Sequence, residues 1–215
     1  MTIAFLLVLA YLIGSIPTAV WVSKWMYGID IREHGSGNAG ATNAFRILGS
    51  KAGSAVMLGD MLKGFLAVKL SLFSNFVPLS EPFVNLQIFL GLAAVIGHIF
   101  PIWADFRGGK GIATLFGMIL SIHPIVAASL VVVFMMMLVI TRYVSLSSIA
   151  ASIAFPLLIL FIFNAQAQEL SYRLFAISTA FLVVLTHHKN ISRLLHGNEN
   201  KVPLFRRRRM RGDRH

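Results

Sequence analysis

Three polar segments of the chain combine glycines with fixed positive charge. The first polar segment is residues 36–46 (SGNAGATNAFR), the second is residues 106–111 (FRGGKG) and the third is residues 187–201 (HHKNISRLLHGNENK). Glycine lets backbone N–H groups approach a ligand closely, and Arg and Lys neutralise anions, so each segment is typical of a phosphate or carboxylate site. They can form one site only if all three lie on the same side of the molecule.

The first polar segment offers small hydrogen-bonding side chains ahead of an arginine. Ser36, Asn38, Thr42 and Asn43 precede Arg46. Hydroxyl and amide groups can hydrogen-bond a tetrahedral anion, and an arginine guanidinium can bind it through two N–H groups at once. The alternative is a glycine-rich turn whose Asn and Ser side chains cap helices. Because the segment is long for a turn and has one bulky apolar side chain before its arginine, we favour binding.

The second polar segment places a lysine among glycines just before an apolar run. Gly108, Gly109 and Lys110 would lie at the start of a helix, where backbone N–H groups and a point charge attract anions. This is not a Walker A loop, because Ala104 stands where that motif has glycine and Lys110 is followed by Gly111. The alternative is a lysine that anchors the chain at a membrane surface.

The third polar segment follows the last apolar run. Its His187 and Asn190 are three residues apart and so share one face of a helix. The histidine could act as a general base or donate to an anion, and the asparagine could hold a hydroxyl or a carbonyl oxygen. The alternative is a solvated histidine at the membrane interface. Glu199 could orient a cation or cap a turn.

The elements that carry these segments are apolar. The chain has 215 residues, of which 57% are hydrophobic and 13% charged. Its long apolar runs are residues 2–22, 52–72, 83–103, 112–140, 144–163 and 174–185. Several meet the roughly 20-residue length of a membrane-spanning helix, and none shows the alternation of a barrel strand. Lys24, the first cation, follows the first run, so we interpret that run as a transmembrane helix and not as a signal peptide.

The run 112–140 decides the topology. As one helix it gives six spans; broken at His123 and Pro124, where proline removes a helical hydrogen bond, it gives seven. Seven spans leave only Arg173 among the loop cations on one side, whereas six divide the cations nearly evenly. Since Lys and Arg accumulate in cytoplasmic loops, we predict an all-α polytopic membrane protein with seven transmembrane helices, a periplasmic N-terminus and a cytoplasmic C-terminus. A re-entrant pair within 112–140 is the alternative, and both place the three polar segments at the cytoplasmic face.

Charged groups inside the predicted spans are costly and therefore informative. Asp60 and Lys63 are spaced to pair with each other on one helix, and we expect the ring of His98 to bond to backbone.

The chain has no cysteine, and its eight carboxylates are scattered, so we expect no metal and no cofactor. The basic tail, residues 202–215, is interpreted as a solvated terminus or one drawn to anionic headgroups, with no nucleic-acid binding.

The three polar segments together, with GHIFPIWADFRGGKGIAT around the second, resemble the signature stretches of the bacterial membrane acyl-phosphate:glycerol-3-phosphate acyltransferase family. The resemblance runs from the first helix to Lys201 and includes the motif beginning at Asp60 and the turn TRYVS at 141–145. Two positions depart from the usual pattern: Ala39 replaces proline and His188 replaces arginine. The second change removes a possible phosphate ligand, so His188 is not a candidate site residue.

The resemblance implies a reaction and a set of site residues. It implies acyl transfer from acyl phosphate to the C1 hydroxyl of sn-glycerol 3-phosphate, giving lysophosphatidic acid and phosphate in the first step of phospholipid synthesis. It places these residues in the site, with the glycine loop at Gly108 and Gly109 shaping a phosphate pocket: Ser36, Arg46, Lys110, Ser145, His187 and Asn190. Either His187 or the substrate's own phosphate would then serve as the base.

The expected organisation is one transmembrane acyltransferase domain over residues 1–201, working as a monomer in the bacterial inner membrane among its lipids. A transporter of a small organic phosphate is the main alternative, because it too collects cations and glycines on a membrane scaffold. Transporters usually bind near the midplane between repeated halves, and the chain shows no internal repeat. A non-catalytic lipid-binding scaffold would not need three anion-binding segments.

Overall fold

Helices form where the apolar runs predict them. The computed structural model describes residues 2–161 and 170–202. Its α-helices are α1 (Ile3–Gly14), α2 (Thr18–Tyr27), α3 (Ala41–Ile47), α4 (Ser50–Lys69), α5 (Glu81–Ile99), α6 (Ile112–Ile122), α7 (Pro124–Thr141), α8 (Val144–Phe161), α9 (Leu170–Thr186) and α10 (His188–Leu195). Short 3-10 turns lie at Ile31–Glu33, Leu70–Phe73 and Ile102–Ala104. The described part of the chain is thus all-helical, as predicted.

Proline divides two of the apolar runs. The break expected at His123 and Pro124 is present: α6 ends at Ile122 and α7 begins at the proline. A second break was not expected. The run 2–22 is interpreted above as one helix, but α1 ends at Gly14 and α2 begins at Thr18. Pro17 lies between them and lacks the N–H that a continuous helix requires.

Within residues 2–161 and 170–202, four stretches are long and apolar enough to cross a membrane: Ile3–Tyr27, Glu81–Ala104, Pro124–Thr141 and Val144–Phe161. The pair α9 and α10, bent by 61°, would be a fifth. Large apolar side chains face outward on this bundle, as at Ile140 and Phe161, which are 76% and 80% exposed. Such a surface suits lipid and not water. By length and composition the count is four or five, so seven spans stays a prediction.

Small residues bring the helices close together. A side chain at Gly64 of α4 would overlap the Thr114 carbonyl of α6, and one at Gly117 of α6 would overlap the Met61 carbonyl of α4. These two contacts show that α4 and α6 run antiparallel, packed backbone to backbone as small residues allow in membranes. The largest buried apolar cluster contains side chains from each of the six helices α4 through α9, with Met118, Phe155 and Phe175 among its members.

The basic tail is described only at Val202, whose N–H donates to the carbonyl of Arg142 at 2.8 Å. This bond ties the end of the third polar segment to the turn between α7 and α8. The arginine run at 206–209, and the rest of 203–215, lies outside the described residues.

Candidate active site

The first polar segment folds around a buried amide. Asn43 in the first turn of α3 is 2% exposed; its Nδ2 donates to the carbonyls of Ile31 (3.1 Å) and His34 (2.9 Å). Its Oδ1 accepts from the backbone N–H of Ser36 at 3.0 Å. The side chain therefore builds the loop that carries the other polar groups. Ser36 is exposed and Asn38 is half-buried on this loop, and Thr42 and Arg46 are exposed on α3.

An arginine that precedes the first polar segment ties it to the second. Arg32 donates through Nε and Nη2 to the two carboxylate oxygens of Asp30 at 3.0 and 2.8 Å, and through Nη1 to the carbonyl of Ala104 at 2.9 Å. The hydrogen bonds from Arg32 hold the pKa of the Asp30 carboxyl well below its usual range. A planar guanidinium can make these bonds at once, so the two loops are held at a set distance.

The second polar segment turns tightly under α5. Backbone N–H groups of Gly108 and Gly109 donate to the carbonyls of Ile99 and His98 at 3.2 and 3.1 Å. A Cβ at Gly109 would overlap the imidazole of His98 and come within 3.2 Å of the carbonyl of Ala39 in the first polar segment. Only glycine fits there. Gly111 then starts α6 with a left-handed φ of 81°.

Lys110 reaches the third polar segment. Its Nζ donates to Oδ1 of Asn190, which is 6% exposed on α10. Asn190 in turn donates from Nδ2 to Oε1 of Glu199 at 2.6 Å. The same oxygen accepts from Ser145 Oγ at 2.8 Å, and Oε2 accepts from Arg193 Nε at 2.6 Å. Residues from the second segment, the third segment and the start of α8 thus share one continuous hydrogen-bond network.

The charges around this network alter its proton affinities. The pKa of Lys110 is lowered to about 8, mainly by burial; the negative charge of Glu199 opposes the shift, and the positive charges of Arg193 and Arg46 add to it. The first polar segment thus contributes a charge near Lys110, and its Ala39 carbonyl lies next to Gly109. Burial favours the neutral form of Glu199, but hydrogen bonds from Arg193, Asn190 and Ser145 outweigh it and hold its pKa below the usual value.

His187 lies at the bend between α9 and α10 and is 3% exposed. Its Nδ1 lies 2.8 Å from the carbonyl of Val183. A carbonyl can only accept, so Nδ1 carries the proton and Nε2 is left as an acceptor. Burial, helped by the charge of Lys110, lowers the pKa of His187 to about 4, so the ring is neutral at physiological pH. Neighbouring His188 is exposed, and its ring bonds to the carbonyl of Leu185.

The three polar segments therefore meet at one end of the bundle. The contacts join the predicted Lys110, Asn190, Glu199 and Ser145 directly, and electrostatic influence joins Arg46 and His187 to them. Sequence reasoning missed Arg32 and Arg193. An acid–base pair just ahead of the glycines, DIR at 30–32, was the available signal for the former. Among the described residues no group of His, Asp and Glu side chains could hold a metal ion.

Comparison with known proteins agrees on one family. The family model for glycerol-3-phosphate acyltransferase matches residues 4–197. The chain is 42% identical over 221 residues to a glycerol-3-phosphate acyltransferase of Salinibacter ruber (95% of this chain, 94% of the relative). It is 44% identical over 199 residues to that of Geobacillus kaustophilus (93% and 95%).

Solved structures agree as well. One is PlsY (YgiH), an integral membrane glycerol 3-phosphate acyltransferase, in its glycerol 3-phosphate form; the TM-score is 0.83 at 36% identity, covering 93% of this chain and 95% of that one. The lysophosphatidic acid form gives 0.79 at the same identity, with coverage of 93% and 94%. The prediction of an integral membrane protein with this fold is confirmed.

Proposed function

The chain belongs to the glycerol-3-phosphate acyltransferase family, and from that premise we propose how it carries out the reaction. It is an enzyme and not the transporter considered as an alternative. The proposed donor is acyl phosphate and the acceptor is the C1 hydroxyl of sn-glycerol 3-phosphate. The products are lysophosphatidic acid and inorganic phosphate. Solved relatives in glycerol 3-phosphate and lysophosphatidic acid forms support this acceptor and this product.

The observation that carries the proposal is the bond between Lys110 and Asn190. It joins two polar segments that lie far apart in sequence, within the electrostatic reach of Arg46. Lys110 and Arg193 are bonded into one network, and the charge of Arg46 acts on Lys110. That arrangement suits a reaction with two phosphates, one retained in the product and one expelled.

The reaction requires the enzyme to orient its two substrates more than to supply a strong nucleophile. Acyl phosphate is a mixed anhydride, so its carbonyl is already activated and phosphate leaves readily. The C1 oxygen forms a bond to the acyl carbon, the bond from that carbon to the phosphate oxygen breaks, and phosphate departs with the electron pair. No acyl-enzyme is formed. Positioned cations stabilise the charge that moves onto the phosphate.

We assign the phosphate of glycerol 3-phosphate to the second polar segment. Gly109 and Asn190 are buried, which suits a small, wholly polar substrate. Lys110 supplies the charge, and Gly108 and Gly109, whose N–H groups donate to the carbonyls of Ile99 and His98, shape the tight turn that presents it. Arg46 and Ser36, exposed on the first polar segment, would hold the phosphate of the donor, with Asn38 and Thr42 beside them. Its acyl tail would extend between helices into lipid.

His187 is the proposed base. Since Nδ1 is held by the Val183 carbonyl, Nε2 would accept the proton of the C1 hydroxyl and pass it to the departing phosphate. The anionic substrates, once bound, would raise its pKa from the low value of the empty site and strengthen it as a base. Asn190 would orient the hydroxyl. We assign Asn43 and Glu199 positioning roles, because each is occupied by bonds within the protein.

For the topology we propose seven spans, with the N-terminus periplasmic and the catalytic site at the cytoplasmic face of the bacterial inner membrane. The supporting observations are the charge asymmetry and the break before Pro124. We further propose one catalytic domain over residues 1–201, working as a monomer.

Cysteine labelling tests the topology cleanly, because the chain has no cysteine of its own. Leu79, 88% exposed between α4 and α5, and Asn198, exposed in the third polar segment, provide sites. In intact cells a membrane-impermeant maleimide should label Leu79→Cys, and it should label Asn198→Cys only after permeabilisation. The reverse pattern, or equal labelling of both, would overturn the assignment.

The reaction is tested by giving the purified chain labelled glycerol 3-phosphate and one of three donors: palmitoyl phosphate, palmitoyl-CoA or palmitoyl acyl carrier protein. We expect lysophosphatidate and free phosphate from palmitoyl phosphate alone, in equal amounts. Product formed only from the thioesters would overturn the proposed donor. No product from any of the three would overturn the proposed function.

A further inference from the structure

A buried charge cluster lies directly beneath the second polar segment. It consists of Asp60 and Lys63 on α4 and His98 on α5, with side chains 2%, 5% and 5% exposed. Lys63 Nζ lies 2.9 Å from Asp60 Oδ1, as the spacing predicted. The expectation that His98 bonds to backbone through its ring was wrong. Nδ1 lies 3.6 Å from the same Asp60 oxygen, which is too long for a hydrogen bond. A proton on Nδ1 would therefore be attracted to the carboxylate as an N–H dipole, without a bond.

Stability does not account for this cluster. Asp60 Oδ1 is held by the ion pair with Lys63, but Oδ2 has no hydrogen-bond partner among the described residues. Exchange of a buried ion pair for apolar residues is often neutral or stabilising, because burying two charges costs as much as their attraction returns. Ionisable groups kept within a membrane bundle at such a cost indicate function.

The contacts of the cluster run towards the site. Lys63 Nζ donates to the carbonyl of Ile16 at 2.8 Å, at the break before Pro17, and so links the cluster to the first apolar run. On the other side the imidazole of His98 lies against the α-carbon of Gly109, while the His98 carbonyl accepts from the Gly109 N–H. Gly109 is thus enclosed by His98 below and by the first polar segment above.

We propose that Asp60, Lys63 and His98 are positioning residues: the Asp60–Lys63 pair orients the His98 imidazole, which supports the glycine loop in the geometry that binds the phosphate of glycerol 3-phosphate. The assignment of that phosphate to the loop rests on the proposed function. None of the three residues touches substrate. Their effect reaches the reaction through the backbone of Gly108 and Gly109.

Two variants separate positioning from a structural role. His98→Ala removes the support, and the double variant Asp60→Asn/Lys63→Met removes both charges without leaving one unpaired. We expect each to raise KM for glycerol 3-phosphate by about tenfold, equivalent to about 1.4 kcal/mol. KM for palmitoyl phosphate and kcat should change less than about threefold. The triple variant should be no worse than His98→Ala, because both changes act through one ring.

A matched control is Ser15→Ala. Ser15 is buried beside Gly97 of α5, and its hydroxyl has no partner among the described residues. Its KM should equal that of wild type. His98→Asn keeps a polar group towards Asp60 but lacks the ring that reaches Gly109. It covers the case in which His98→Ala does not fold, and it should show the same rise in KM.

The outcomes are distinguishable from failure of the proposed function. If wild type forms no lysophosphatidate in this assay, the function itself is wrong. If wild type is active and folded His98 variants and the double variant keep its KM for glycerol 3-phosphate, the positioning role is refuted. A lower unfolding temperature with unchanged KM in the surviving enzyme would also refute it, since the cluster would then be structural only.

Discussion

The alkaline limb of the pH profile tests the electrostatics of Lys110. With a pKa of about 8, about nine-tenths of the lysine is charged at pH 7 and only about one-tenth at pH 9. Glycerol 3-phosphate is fully ionised over this range, since a phosphate monoester loses its second proton near pH 6. Since we propose that the charged form of Lys110 binds this phosphate, we expect kcat/KM to fall about tenfold from pH 7 to pH 9.

The pH dependence of kcat/KM reports the pKa of Lys110 in the free enzyme, whereas that of kcat reports its pKa in the enzyme with substrate bound. Bound phosphate favours the charged lysine and raises its pKa, so the fall should appear in kcat/KM for glycerol 3-phosphate and be weaker in kcat. Lys110→Arg supplies the control, because a guanidinium stays charged through the whole range; the variant will be less active, but its profile should be flat. Initial rates at saturating palmitoyl phosphate, from pH 6.5 to 9.5 (about three units, chosen to bracket the pKa), give both constants. A flat wild-type profile, or an unchanged limb in Lys110→Arg, would refute the reasoning.

Three further predictions concern neighbouring positions. Gly109→Ala places a methyl group in the imidazole of His98 and should raise KM for glycerol 3-phosphate by more than about tenfold. Gly28→Ala strains a left-handed backbone (φ 69°) but meets no atom within 4 Å, so it controls for lost stability without a steric contact; equal effects on KM would contradict the steric argument. Arg32→Ala should lower kcat/KM about tenfold by releasing the first polar segment from the second, and Arg32→Lys should not restore it; full rescue by lysine would show that charge alone matters. His188→Ala should keep kcat/KM within about twofold, since the ring is exposed and bonds to the carbonyl of Leu185 at the end of α9; a large loss in steady-state rates would place this residue in the site after all.

Local signals in the sequence predicted the local features of the fold. Proline after His123 predicted the break between α6 and α7, and the spacing of Asp60 and Lys63 predicted their ion pair. The same proline signal at Pro17 was overlooked, because the run 2–22 is nearly all apolar and hydropathy alone favoured one helix. Charge asymmetry predicted that the polar segments share a side of the membrane, a proposal that labelling still has to test.

Contacts between distant residues could not be predicted in this way. Lys110 and Asn190 are 80 residues apart, and which side chains meet depends on how the helices pack. The approach of His98 to Asp60 depends on the same packing, which brings α4 and α5 together. Asn43 was interpreted as a ligand-binding residue because its type suits an anion. Only its depth in the loop shows that its amide is already used by the backbone.

The central claim is that three separate polar segments form one catalytic site. Its most direct test is kcat/KM for lysophosphatidate formation from palmitoyl phosphate and glycerol 3-phosphate in three variants, one from each segment: Arg46→Ala, Lys110→Met and Asn190→Ala. The account predicts a loss of at least about a hundredfold in each, as expected when a positioned charge or hydrogen-bond donor is removed from an active site. A variant that folds as wild type does and keeps full kcat/KM would show that its segment lies outside the site, which would contradict the claim.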